Sequence, residues 1–251
     1  MFSGCSSLTQ APALPATTLA VDCYQDMFRW CGKLSTAPEL PAIILTNNCY
    51  DSMFEGCTSL TRAPALPAIL LANCCYQGMF SDCTNLTAAP VLSVTTLTIG
   101  CYNYMFAGCT SLTRAPALPA TTLAENCYSS MFAGCTSLTR APALPAATFA
   151  PLQCYLAMFE GCTSLTTLPA LPATTFDEGC YEYMFQGCTS IKLSTTRTGE
   201  YVNEYRIPIS GYGDEYRYNS YFDDMFNGTG GTFTDRPQVN TTYYTSNEII
   251  S

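Results

Sequence analysis

The dipeptide Met-Phe returns at Met1, Met27, Met53, Met79, Met105, Met131, Met158 and Met184. Every step is 26 residues except Met131 to Met158, which is 27. A fixed period of roughly 20–50 residues is the mark of a solenoid, in which one repeat cannot bury its apolar face alone and stacking neighbours make the core continuous. That constraint excludes most other folds before any single residue is read.

The copy at 101–126, CYNYMFAGCTSLTRAPALPATTLAEN, shows the unit. Its first block places Tyr102, Met105, Phe106 and Cys109 at offsets of three, four and seven, which predicts a short helix with one buried face, ended by Gly108. The second block, Thr-Ser-Leu-Thr-x-Ala-Pro-x-Leu-Pro, carries a strand anchored by Leu112 and Leu118, with Leu123 beyond it. Proline at the same place on each rung (Pro12, Pro38, Pro64, Pro90, Pro116, Pro142, Pro169) has no N–H to donate. The parallel sheet is therefore expected to be narrow, about three residues around Leu-Thr-x. The Ala-Thr-Thr-Leu segment reads equally as a second short strand or as a turn.

The fold class expected is an α/β repeat solenoid, a leucine-rich-repeat-like curved rod of 26-residue units with a narrow parallel sheet and short helices. At a strand spacing of about 4.8 Å, eight rungs give a rod about 40 Å long. The solenoid occupies 1–194 and a divergent C-terminal capping region 195–251. The single extra residue of the 27-residue step falls in Ala146–Gln153, around Phe149, Ala150 and Pro151, and reads as a loop bulge. Past Lys192 the chain lacks Cys, yet Tyr221-Phe222-Asp223-Asp224-Met225-Phe226-Asn227-Gly228 keeps the frame of the first block. It reads as a ninth, divergent helix after an insert at about 199–220, with a closing strand near Thr232–Thr242. Met1 lies in mid-repeat, so the N-terminus is expected to be that of a fragment or of a shortened reading frame.

Hydrophobic residues make up 48% of the 251-residue chain and charged residues 12%, enough to build a continuous core. A net charge of −9 argues against a nucleic-acid partner, which requires a basic stripe. No apolar run is long enough for a transmembrane helix, and no signal peptide is present.

Met105-Phe106-Ala107-Gly108-Cys109-Thr110-Ser111-Leu112-Thr113 and its copies resemble the repeats of the BspA-like (Treponema-type) leucine-rich repeat family of bacterial surface proteins. That family's unit has a helix ending in Ala-Phe-x-x-Cys, then a Leu-x-x-Leu strand and a proline; here Met takes the place of the commoner Ala. The likeness covers Met1 to about Ser194, with a longer repeat and an added Ala-Pro-Ala-Leu-Pro insert. It implies a bacterial cell-surface or extracellular protein used in adhesion or partner binding.

Fifteen of the sixteen cysteines fall into two columns, Cys5 to Cys188 and Cys23 to Cys180, with Cys74 beside them. In-register Cβ atoms about 4.8 Å apart exceed the roughly 3.5–4.5 Å of a disulfide, and Cys101 and Cys109 would lie about 12 Å apart along a helix. The columns are therefore expected to hold free thiols packed as small hydrophobes, with Cys74 the accessible one. No histidine and no CxxC pair exist, so neither a metal site nor a Ser-His or Cys-His centre is expected, and no cofactor. Asp223–Asp224, Asp214–Glu215 and Asp177–Glu178 could serve glycoside hydrolysis in principle but read as solvated surface.

What varies within the template is the residue after Leu-Thr: Gln10, Thr36, Arg62, Ala88, Arg114, Arg140 and Thr167. These positions are the candidate recognition column, read either as a solvated face or as a shallow binding face. Tyr201, Tyr205, Tyr212 and Tyr216 belong to a tyrosine-rich run that reads as a capping hairpin, with recognition as the second reading. The function expected is non-enzymatic binding, by a monomer, of a protein or glycan on a host or neighbouring cell surface. The alternative is a purely structural spacer, or a phage- or fibre-like rod presenting the C-terminal region.

Overall fold

The computed structural model describes residues 1–208 and 220–251. The Met-Phe repeats stack as rungs, and the stacked side chains form one core that runs the length of the array. Phe2, Phe28, Phe54, Phe80 and Phe106 lie in one file with centroids 5.7 Å apart and planes within 10°. The file continues through Phe132, Phe159 and Phe185 to Phe226. A second file runs from Tyr24 through Tyr181 to Phe222 at 5.5–6.0 Å. A centroid distance this long between near-parallel rings means that they are offset, the geometry that the ring quadrupole favours, at about 0.5–1.5 kcal/mol per pair beyond burial.

The first block is not a helix. Among the described residues there is no α-helix, and the only helical element is the 3-10 turn Ser220–Phe222. In its place the chain runs as a ribbon of turns with a period of four. Gly100, Tyr104 and Gly108 have φ of 60°, 55° and 71°, and Asn126, Ser130 and Gly134 repeat this at 54°, 51° and 72°. Alternate amides close turns within the rung, as in Met105 N–H to Tyr102 O (3.2 Å) and Cys109 N–H to Phe106 O (3.1 Å). The amides between them donate to the next rung, as in Tyr102 N–H to Cys127 O (3.1 Å) and Phe106 N–H to Met131 O (2.9 Å). The physical reason is spacing. Packed α-helices need about 8–10 Å between axes, whereas these rings repeat every 5.7 Å. A ribbon that exports half its amides to its neighbours satisfies the backbone at the shorter distance.

The same geometry explains the cysteine file. Phe54 O accepts Cys57 N–H (3.0 Å) and also the Cys83 thiol of the next rung (3.1 Å). A small side chain with a weak donor fits that position, where anything larger would separate the rungs. All sixteen cysteines are thiols. Cys5 and Cys23 are exposed and Cys74 is intermediate, so Cys74 does not stand alone as the accessible thiol.

Pairing in the second block is as narrow as its prolines require. Gln10↔Thr36, Arg62↔Ala88 and Arg114↔Arg140 are isolated parallel bridges. The Ala-Thr-Thr-Leu segment forms a second column of bridges, at Ile44↔Leu70 and Thr96↔Thr122. There, strand β1 (Phe149–Ala150) pairs in parallel with β3 (Thr175–Phe176). Phe149 and Ala150 are thus in register rather than in a bulge, and Ala150 is fully buried. The extra residue is taken up just before them, at Ala146–Ala147.

The expected ninth unit adopts the ribbon too: Tyr181 N–H bonds Tyr221 O, Phe185 N–H bonds Met225 O, and Gly228 has φ of 72°. Beyond the repeats, β4 (Lys192–Ser194) sits between β6 (Gly230–Gly231) and β7 (Thr242–Thr245), and β5 (Asn203–Arg206) pairs antiparallel with β7. The last strand, β8 (Glu248–Ile250), returns to the stacked repeats and pairs in parallel with β2 (Thr167–Pro169). Buried Asn247 fixes that return. Its amide donates to Thr166 O and Ser190 O, both at 3.0 Å, while its Oδ1 accepts Lys192 N–H at 2.8 Å.

Candidate functional site

Gln10, Thr36, Arg62, Ala88, Arg114 and Arg140 all point outward along one column. In-register pairing puts Arg62 beside Ala88 and Arg114 beside Arg140. Two guanidinium groups on adjacent rungs repel unless each is solvated or met by an acid. Arg140 is met by an acid of the same chain: its Nη1 and Nη2 donate to Glu248 Oε2 and Oε1, both at 2.8 Å. The hydrogen bond from Arg140 holds the Glu248 carboxyl below the usual glutamate range. Arg62 and Arg114 have no ion-pair partner among the described residues.

Three predicted site residues are not on the exposed face. Thr167 is buried because β8 pairs alongside it, and its hydroxyl accepts Ala141 N–H at 2.8 Å. Tyr201 is buried as well. Tyr205 is 1% exposed, donates its hydroxyl to Pro169 O at 3.1 Å and packs edge-on against Phe226. It ties the cap to β2 and presents nothing to a partner. Tyr212 and Tyr216 lie outside the described residues. Of the acid pairs, Asp214–Glu215 also lies outside them, and Asp223 is engaged by Arg236 at 3.0 Å.

Between the two bridge columns the Ala-Pro-x-Leu-Pro segments arch over the core. Two neighbouring arches line an open groove of 870 Å³, with Leu118, Pro142 and Leu144 its buried floor. Arg114 and Arg140 stand on one rim, Thr121 on the other, and Ile250 closes one end. A smaller groove of 390 Å³ lies between the arches around Leu40 and Pro64. Two and three rungs before Thr121, the far rim changes chemistry. Thr95, Thr96, Thr121 and Thr122 are replaced there by Ile43, Ile44, Ile69 and Leu70, which are 49%, 56%, 68% and 57% exposed. Single exposed aliphatics are ordinary, but four on adjacent rungs make a patch. Sequence reasoning missed this rim, although the loss of threonine at those positions was its visible signal. It also missed Glu248, which no periodicity places near Arg140.

Among the described residues no group of His, Cys, Asp or Glu is arranged to hold a metal ion, and no helix is long and apolar enough to cross a membrane. The family model described as a BspA type leucine rich repeat region matches residues 1–113 and 75–205, in six copies. A leucine-rich repeat protein from Bacteroides ovatus, known from a crystal structure, is similar at 15% identity over 90% of this chain and 78% of that one, with a TM-score of 0.29. No curated protein matches the chain.

Proposed function

Because the chain belongs to the BspA-type leucine-rich repeat family, we propose that it is a non-enzymatic binding protein of the bacterial cell surface, engaging a protein or glycan through the outward column of Gln10, Thr36, Arg62, Ala88 and Arg114. The family is in general one of interaction and surface proteins. The observation that carries the proposal is the pair of guanidinium groups of Arg62 and Arg114, which have no ion-pair partner among the described residues, on an evenly spaced face of a chain whose net charge is −9. Their fixed spacing suits an anionic partner: complementary charge steers association and sets its salt dependence. Rung-to-rung hydrogen bonds flank the column, as in Thr87 N–H to Thr61 O at 3.1 Å, so the backbone under the face is ordered before a partner arrives and less ordering entropy opposes binding.

Replacing both arginines by glutamate tests this. The expected result is slower association with immobilised host-cell matrix or an anionic glycan array, with an altered salt dependence and an unchanged melting temperature. Unchanged association would leave the column as solvated surface.

A further inference from the structure

The chain's own last residues are already seated against this face. β8 places Glu248 on Arg140 through two 2.8 Å hydrogen bonds, and two residues later Ile250 closes the end of the proline-arch groove. The groove continues past Ile250 toward Arg114 and Thr121. Farther along the rod, the equivalent rims carry Arg62 on one side and Ile69 and Leu70 on the other. Thus an acidic residue followed by an aliphatic one meets the basic rim and the lining of the groove at rung six, from a strand paired on the free edge of β2; at the third rung an outward arginine, Arg62, and exposed aliphatics, Ile69 and Leu70, stand in the same stretch of chain with nothing over them.

We propose that the groove binds in trans an extended peptide segment of a partner protein, with an acidic residue on Arg62 or Arg114 and aliphatic side chains against Ile69 and Leu70. The proposal rests on the reading of the arginine column as a recognition face, and it commits that face to peptide rather than glycan. Charge alone would favour any anion. The four exposed aliphatics favour one with an apolar flank, because their removal from water contributes only if the partner covers them with apolar surface. An anionic saccharide such as heparin, charged along its length, offers them far less apolar surface than aliphatic side chains do.

The probe is a fluorescent peptide of the sequence Tyr244–Ser251, titrated against the full chain. Saturable binding is expected, weakened about tenfold or more by Arg62→Glu/Arg114→Glu and, separately, by Ile69→Thr/Leu70→Thr. The threonine substitutions copy the neighbouring rungs, so the fold should tolerate them, and an unchanged melting temperature checks that it does. Changing the glutamate of the peptide to glutamine should weaken binding as well. A peptide that does not bind, that binds both variants as it binds wild type, or that loses affinity only with Arg140→Glu by exchanging with β8, would overturn the proposal. Heparin titrated in parallel separates the two readings. Binding of heparin that depends on Arg62 and Arg114 but not on Ile69 and Leu70, without peptide binding, keeps the recognition face and rejects the peptide. Failure of both probes rejects both.

Discussion

Arg140 and Glu248 close a bidentate ion pair alongside Thr167, joining the sixth rung of the stacked repeats to a strand 108 residues later in the chain. The pair is more than half exposed. Ion pairs in that setting contribute little to stability because water and salt screen them. Buried Asn247, one residue earlier, is the stronger tie, since its side chain serves Thr166 O, Ser190 O and Lys192 N–H at once.

Asn247→Ala should therefore destabilise the protein by about 2–4 kcal/mol, because buried backbone groups lose their partners. Glu248→Gln should barely move the denaturation midpoint at neutral pH. Since Arg140 depresses the folded-state pKa of Glu248, its contribution is present above the ordinary glutamate range and is lost as pH falls through the lowered value. Urea denaturation of the two variants between pH 3 and pH 7 checks both statements. An Asn247 variant as stable as wild type would mean that the cap does not hold the last rungs.

Trp30 lies over Gly56, where an added Cβ would collide with its ring. Gly56 also has φ of 70°, a region costly to an L side chain. Gly56→Ala should cost about 1–3 kcal/mol through backbone strain and should push the half-exposed indole into water. Trp30 is the only tryptophan, so a red shift of its fluorescence reads this directly. An unshifted spectrum would mean that the ring does not rest on Gly56.

The buried thiols and phenols make the fold sensitive to base. Burial pushes Cys57, Cys101, Cys127, Cys135 and Cys188 up to about 12, and Tyr50 and Tyr102 well above their usual range. For groups raised in the folded state, the stabilisation is complete below their unfolded pKa values and is lost as pH rises toward the folded ones. Each group costs about 1.4 kcal/mol per pH unit in that window. Under reducing conditions the melting temperature should hold steady to about pH 8 and then collapse between about pH 9 and pH 11. A flat profile to pH 11 would show that the two files are hydrated.

Thiol accessibility offers an independent check. A thiol reagent should modify Cys5, Cys23 and Cys74 in the native protein, and close to all sixteen cysteines after denaturation without reductant. Recovery of fewer than half as thiols would mean that the rungs are close enough to be bridged.

The columns themselves were legible in the sequence, since a 26-residue period puts Met105 on Met131 whatever the local backbone does. The ninth unit was legible for the same reason, through Met225, Phe226 and Gly228. The helix was a misreading of a period of four as one of 3.6. Over one short block, Tyr102, Met105, Phe106 and Cys109 satisfy both. The discriminating signal was the run of residues that tolerate positive φ at steps of four, such as Asp22 and Asp26, or of two such steps, such as Gly100 and Gly108. Thr167 and Tyr205 were misplaced for a different reason. Thr167 is buried by β8 pairing beside it and Tyr205 by β5 docking against Phe226 and Pro169, and repeat logic says nothing about where a non-repeating tail docks.

The most direct measurement is the association rate of the Arg62→Glu/Arg114→Glu chain with an immobilised matrix partner, taken across a salt series beside wild type. Arg140 is left unchanged because Glu248 already neutralises it. If the column is the recognition face, wild type associates faster at low salt and loses that advantage as salt rises, while the variant is slow throughout and melts at the same temperature. Superimposable salt profiles for the two proteins would contradict a binding role for this face.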